Sequence, residues 1–418
     1  MKLAERMTLS GFLLFIMSFA LAQEPTTISM WHIAVPGDSY AEVLPPSIED
    51  FNEENNSFTI DAQAIQVDAL FTQIPVAASA DDLPDAFQTW GGGRLESLIN
   101  ANKVRAVTQL ESDERFNPLT LRAATFDGER YAIPLSQSII VLWLNADLFE
   151  EYGVARPDTW NDFIQACRAF NEQGIVPVAL GNAAGWPGGH MISYIITRLG
   201  GTDAVQESLN RTASFDEEVY IEAGKRLQEA VEANCFQSGF NGTSDTDAQL
   251  LFATEVAAMR LSGDWDLVGL TQANPAIEKK IEIASFPTFE DAPGTASDLI
   301  GGPGQAFAVA ANAPEGTEAA LIELVTSDYF LNRLLEANLI PALTGYLDRI
   351  ESPVKREIAQ LLEDASFVQL YYDQYLPPAL IEAHIDTTQE LFGLSITPEE
   401  AAARMETVAT DLIGAVKE

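Results

Sequence analysis

Cysteine and histidine are scarce in this 418-residue chain, with two of the first and three of the second. His32, His190 and His384 lie far apart, and no HExxH pair, GxSxG elbow or Walker sequence occurs. Nothing here marks a zinc hydrolase, a serine hydrolase or a nucleotide-phosphate site. Positive charge is also thin: 23 Lys and Arg stand against 62 Asp and Glu, a net charge of −39. Such a surface repels nucleic acid and anionic membrane. It also disfavours anionic ligands in the absence of a local basic cluster, and none is visible. Low-complexity tracts and short repeats are missing, and 47% hydrophobic residues suffice for a packed core. Disorder is therefore excluded. Asp245-Thr246-Asp247-Ala248-Gln249 alternates oxygen ligands but lacks the glycine and terminal glutamate of a calcium loop, so a helix-capping loop is expected. No metal and no cofactor are expected, and no pair of carboxylates is marked out for catalysis.

Long apolar runs are missing as well, except at the start. Lys2 and Arg6 precede the apolar stretch Gly11 to Ala22, which ends in Ala20-Leu21-Ala22. This reads as a secretory signal cut before Gln23, because a membrane span needs about 20 apolar residues. No cysteine follows the cut, so no lipid anchor is expected. The mature chain should work outside the cytoplasm, and its length calls for two domains.

What is present is an alternation of strands and helices. Thr26–Ile33 reads as a strand, Tyr40–Asn52 as a helix with Val43, Leu44, Ile48 and Phe51 on one face, and Phe58–Val67 as a second strand. Ala69–Ala80 is a helix, Leu83–Phe87 a third strand, and Gln88 to Gly93 a strand-to-helix loop. This order predicts an α/β fold with a parallel sheet covered by helices. Ligands collect at the carboxyl ends of such strands, which is where Trp31-His32 and Gln88 to Gly92 fall. The three glycines, Gly91 to Gly93, are not followed by Gly-Lys-Ser/Thr, so a close backbone approach is expected there rather than a phosphate cradle.

Ile139 to Leu144 is an unbroken apolar run that suits a strand buried on both faces. Small polar residues, Pro134 to Ser138, precede it, and Asn145 can cap the helix that follows. Thr159 and Asp162 form a capping box for a helix ending at Gly174, and Ile175–Leu180 is a strand leading into Gly181 to Pro187. Ser214–Asn234 is read as a helix with a Ser214 and Glu217 capping box. Ile281–Phe286 and Gln305–Ala310 are strands, with Gly301-Gly302-Pro303-Gly304 as a crossing between them. Beyond Pro314 the chain is mostly helical.

The segment Tyr131-Ala132-Ile133-Pro134, Trp143-Leu144-Asn145, Leu148-Phe149, Gly153, Pro157 and Thr159-Trp160-Asn161-Asp162-Phe163 resembles the sugar-binding class of extracellular solute-binding proteins of bacterial ABC importers. Gly181 to Pro187 and Leu250 to Asp266, with its Gly-Asp-Trp turn, are similar to the same family. The likeness covers nearly all of the mature chain and thins after about Gly345. It implies a two-lobed periplasmic-binding-protein fold of type II, with discontinuous lobes around a hinge and a central cleft. Residues 1–22 would be the signal, 23–135 with 287–327 the first lobe, and 136–286 with 328–418 the second, with crossings near Ser136, Pro287 and Ser327. It also implies a neutral mono- or oligosaccharide as ligand, membrane permease subunits as partners, a monomer, and no enzymatic activity. A secreted carbohydrate-active enzyme and a sugar sensor on the same fold are the alternatives.

Trp31, Trp90, Trp186 and Trp265 all lie at strand ends or in glycine-rich loops, whereas Trp143 and Trp160 belong to a strand and a helix face. A sugar ring packs its C–H face on an aromatic plane and needs paired donors and acceptors for its hydroxyls. The candidate set is Trp31, His32, Gln88, Trp90, Gly91, Gln137, Trp186, Asp264, Trp265 and Gln305. His32 suits a ligand contact or a buried structural role equally. Asp264 could bind hydroxyls or cap its turn, and any of the tryptophans could fill core. Cys167 and Cys235 can pair in an exported chain or remain buried and free.

Overall fold

A computed structural model describes residues 24–110 and 114–417; the expected signal segment and its cleavage site lie outside them. Twelve strands follow in chain order: β1 Thr26–His32, β2 Phe58–Ala64, β3 Ala86–Thr89, β4 Thr125–Phe126, β5 Glu129–Arg130 and β6 Ala132–Asn145, then β7 Val176–Ala179, β8 Ala257–Gly263, β9 Ile281–Ala284, β10 Asp298–Val309, β11 Ile340–Pro341 and β12 Phe367–Gln369. Ten of them form one sheet along the path β2-β1-β3-β10-β6-β8-β7. On its margins β9 and β11 pair with β6, and β12 pairs with β10. β1, β2 and β3 are parallel, as the strand and helix alternation predicts. β10 and β6 run antiparallel to each other and carry the sheet from one half to the other.

Each half has apolar packing on both faces of the sheet. In the first half, Ile28, Phe51, Ile133, Phe307 and Leu334 fill one face, while Leu70, Phe87, Leu95 and Ala306 fill the other. In the second half, Leu142, Phe163, Tyr194, Leu261 and Phe392 pack on one side and Val141, Trp143, Phe252, Ile283 and Leu362 on the other. The alternation of Ile140, Leu142 and Leu144 with Ile139, Val141 and Trp143 explains the unbroken apolar run: both faces of β6 are interior. Cys167 and Cys235, both members of the second half's core, are bonded to each other, with Cα atoms 5.0 Å apart.

Several elements differ from the sequence reading. The first helix runs Leu44–Glu54 rather than from Tyr40, because the two prolines sit in its first turn, where a missing N–H costs nothing. β3 starts at Ala86, not Leu83; Pro84 cannot donate to a ladder, and the Asp85 carboxylate is engaged by the Ser29 N–H and hydroxyl, each at 2.8 Å. The helix expected from Ser214 begins at Glu218. Only half of its capping box forms, with Glu217 accepting from Ser214 N at 3.2 Å while the Ser214 hydroxyl turns to Asp216. The strand expected from Gln305 already begins at Asp298, so the crossing Gly301 to Gly304 lies inside β10. A Cβ at Gly301 would lie 2.4 Å from the Ser138 carbonyl, so bare backbone is what lets the two long strands meet. Asp245 to Gln249 are not a capping loop but the first turns of helix Asp245–Ala253: its cap is Ser244, whose hydroxyl accepts from Asp247 N at 3.1 Å, and Asp245 pairs with buried Arg260 at 2.7 Å.

Candidate functional site

Helix Trp186–Gly200 begins directly at Trp186, after Gly185 at a φ of 79° and with Pro187 in the first turn. Trp186 therefore leads a helix instead of lying in a strand-end loop, since Trp-Pro after a left-handed glycine is a helix start. One turn on, at i+4, His190 shares its face. Trp265 follows β8 and folds its ring back over Gly263, where any Cβ would sit 2.1 Å from ring carbon. Tyr371 arrives from the far end of the chain and donates to the Ser138 carbonyl at 3.3 Å.

These four rings converge. Trp186 and Trp265 have centroids 6.4 Å apart; His190 is 5.2 Å from Trp186, 6.3 Å from Trp265 and 5.4 Å from Tyr371, and Trp265 is 6.2 Å from Tyr371. The interplanar angles lie between 44° and 69°, so edges and faces both remain on offer. Both tryptophans are only partly buried.

The electrostatics are muted. Burial holds His190 down to about 3, so its imidazole is neutral at physiological pH. Its Nδ1 is buried without a hydrogen-bond partner among the described residues. Nε2 lies 3.9 Å from Asp373, too far for a hydrogen bond, and burial raises the Asp373 carboxyl above the usual range. Asp264 is not a free hydroxyl binder: its carboxylate is taken by the Ser138 hydroxyl and by Lys355 Nζ at 2.7 Å. The sequence left hydroxyl binding and turn capping open for it, and its carboxylate partners here are a serine and a lysine.

Most of the other candidate residues lie at strand ends of the first half or on the strands that join the halves. His32 and Gln88 are buried at the ends of β1 and β3. His32 Nδ1 accepts from Ala34 N at 3.1 Å, and burial lowers the ring to about 4. Gln88 Oε1 accepts from Ile33 N at 3.0 Å, leaving Nε2 buried without a partner. Gln305, on β10 opposite Ser136, likewise has a buried, unpartnered Oε1. Tyr40 bonds Ser136, and a Cβ at the intervening Gly304 would come within 2.3 Å of the Ser136 hydroxyl. Trp90 is 5.3 Å from Phe71 and packs against core of both halves, while Trp31 packs only against the first. Gly91, at a φ of 83°, allows backbone to approach the Ala123 carbonyl, where a Cβ would be 2.3 Å away.

Gln137 falls away from this grouping. Side chains alternate along β6, so Gln137 faces opposite to Ser136 and Ser138 and accepts instead from Asn117 Nδ2 at 2.9 Å, beside Tyr346 and Glu363. Among the described residues, no group of three or more His, Cys, Asp or Glu could hold a metal. His190 and Tyr371 were missed from sequence. The spacing of His190 from Trp186 could have found the first; nothing local marks the second.

The profile of the bacterial extracellular solute-binding proteins matches residues 37–328, and the chain belongs to that family. Its relatives include the melibiose/raffinose/stachyose-binding protein MelE of Bacillus subtilis, 25% identical over 347 residues, or 79% of this chain and 77% of MelE. The multiple sugar-binding protein of Streptococcus mutans is 28% identical over 162 residues, and this match spans 37% of each chain. Against two extracellular-binding proteins of Pyrococcus horikoshii the match spans 42% and 50% of the relative's length. Among solved structures, a protein studied for xylan utilization by Caldanaerobius polysaccharolyticus superposes with a TM-score of 0.83 at 30% identity, over 91% of this chain and 99% of that one. A chitin oligosaccharide binding protein superposes with a TM-score of 0.83 at 19% identity, over 93% and 98% of the two chains, and shares the fold. The family, the two sugar-binding relatives and the chitin oligosaccharide neighbour are binding proteins.

Proposed function

We propose that this chain binds a neutral mono- or oligosaccharide in a cleft between two lobes, outside the cytoplasm, and delivers it to the membrane permease subunits of an ABC importer. The observation that carries this reading is the cluster of Trp186, His190, Trp265 and Tyr371, in which burial keeps the His190 imidazole neutral, next to an Asp264 carboxylate already paired with Lys355. Aromatic faces suit sugar C–H faces, and a neutral imidazole among them, with the neighbouring Asp373 carboxyl raised by burial above its usual range, favours an uncharged ligand over an anion. The buried, unpartnered Gln88 Nε2 and Gln305 Oε1 offer one donor and one acceptor, which a hydroxyl can serve in either direction. Among the described residues no helix is long and apolar enough to cross a membrane, which agrees with a permease supplied by other chains. The protein acts as a monomer and returns its ligand chemically unchanged.

Calorimetric titration against neutral galactosides, xylosides, glucosides and chito-oligosaccharides tests the reading, with a sugar phosphate as the charged control. Tight binding only of the sugar phosphate would overturn it, and cleavage products in the cell would favour the enzyme alternative.

Core membership suggests where the lobes change over. Phe330, Leu331, Leu334, Leu339, Ala342 and Leu343 pack with the first half, though Leu335 and Ile340 between them pack with the second, as do Leu299 and Ile300. The lobes on this reading are 24–135 with about 305–345, and 136–301 with about 350–417, so the later crossings fall near Gly302 and Tyr346 instead of Pro287 and Ser327. Three short crossings allow hinge rotation with little repacking. Saturating sugar should then reduce the radius of gyration in small-angle scattering, and an unchanged radius would count against closure.

A further inference from the structure

Lys355 is wholly buried on helix Pro353–Glu363, whose other inward residues, Val354, Ile358, Ala359 and Leu362, are apolar. Its ammonium donates to the Asp264 carbonyl at 2.6 Å and to Asp264 Oδ2 at 2.7 Å. The remaining polar atoms of Asp264 are also taken: Oδ1 by the Ser138 hydroxyl, and the amide N–H by the Ile139 carbonyl at 3.1 Å. Trp265 is the next residue. Ser138, the partner of Oδ1, receives the Tyr371 hydroxyl on its carbonyl. One buried ammonium thus fixes the turn that carries one ring of the cluster and the strand that anchors another.

Packing does not call for a charge here. A buried ion pair is commonly no more stable than an apolar pair of similar volume, because both ions lose their hydration. What an ion pair supplies is a defined geometry, since a compact ammonium meets two oxygens at fixed distance and direction.

We propose that Lys355 is a positioning residue for the aromatic cluster: by holding both oxygens of the Asp264 turn it sets the Trp265 ring against Trp186 and Tyr371, and it cancels the carboxylate beside them. Only the affinity arm of its test rests on the sugar-binding reading above.

The test compares wild type with Lys355→Met/Asp264→Asn, which removes both charges together, and with Lys355→Arg, which keeps the charge but changes its reach. The whole chain is labelled with 5-fluorotryptophan, and the Trp265 resonance is assigned by Trp265→Phe. Trp265 should shift or broaden in both variants while Trp143 and Trp160 stay in place. Affinity for whichever neutral sugar of the panel wild type binds should fall at least tenfold. An unmoved Trp265 resonance in a folded variant overturns the proposal, whatever happens to affinity, and reduces the pair to core packing. A moved Trp265 with affinity within twofold also overturns it. If wild type binds no sugar of the panel, the sugar reading fails, and the fluorine spectrum alone still decides the role of Lys355.

Discussion

Two pairs of tryptophans do opposite things in this molecule. Trp143 and Trp160 are interior rings, and each indole N–H has a fixed acceptor: the Ser262 carbonyl at 3.1 Å for Trp143 and the Glu229 carboxylate at 2.8 Å for Trp160. Trp160 also stacks with Phe163 and Phe289, each 5.2 Å away, at interplanar angles of 29° and 27°. Trp186 and Trp265 keep part of their surface open, meet their neighbours at steep angles, and have no hydrogen-bond partner for their N–H among the described residues. A tryptophan that holds a core together has all its valences filled by the fold. One that serves a ligand is left with some to spare.

The largest effect should come from the interior pair. Trp160→Ala should cost about 3 to 5 kcal/mol of stability, and denaturant titration of a variant that still folds should show unchanged sugar affinity. Next is the Cys167–Cys235 bond, which lies with Trp160 on the structural side of the comparison. It closes 68 residues, and its reduction should cost about 2 to 4 kcal/mol. Thiol labelling of unfolded, unreduced protein should find no free cysteine. Trp186→Ala and Trp265→Ala reverse the pattern: binding should weaken by about 2 kcal/mol, roughly thirtyfold, with a much smaller change in stability. Calorimetry beside melting curves separates the two, and wild-type affinity in both variants would dissolve the contrast.

A smaller effect sharpens it. Unfolded histidine titrates near 6.5, whereas folded His190 stays neutral down to about 3. The unfolded state therefore binds the extra proton, and the stability this group contributes is complete above 6.5 and is lost as the pH falls below it. Raised carboxyls such as Asp373 and Asp38 act in the opposite sense, so the informative quantity is a difference between proteins. From pH 7 to pH 5, His190→Gln should lose about 1 to 2 kcal/mol less stability than wild type. Equal slopes would mean that His190 is better hydrated than the structure has it.

Periodicity explains how much could be read beforehand. β6 was legible where both its faces are apolar and illegible from Ala132 to Ser138, where Pro134 and three polar residues imitate a loop although the backbone is extended and paired. The start of β10 was hidden in the same way, since Gly301 to Gly304 carry no apolar pattern and glycine serves a close strand crossing as readily as a turn. Trp186 and Trp265 stood out because large rings beside glycine in loops are unusual. The partners of Asp264 did not stand out. Lys355 lies 91 residues from it, on a helix where the sequence pattern shows only one more charge among several. Contacts made by folding, not by spacing, are invisible to periodicity.

β6 is 14 residues long and pairs with β10, β8, β9 and β11, so it belongs to both halves of the sheet at once. Neither half can melt while the other stays intact without tearing this strand from its neighbours and stranding its backbone donors and acceptors in a dry interior. Two cores joined in this way should surrender together. Scanning calorimetry should record one heat-absorption peak whose calorimetric and van't Hoff enthalpies agree, the behaviour of a single cooperative unit in a chain with two hydrophobic centres.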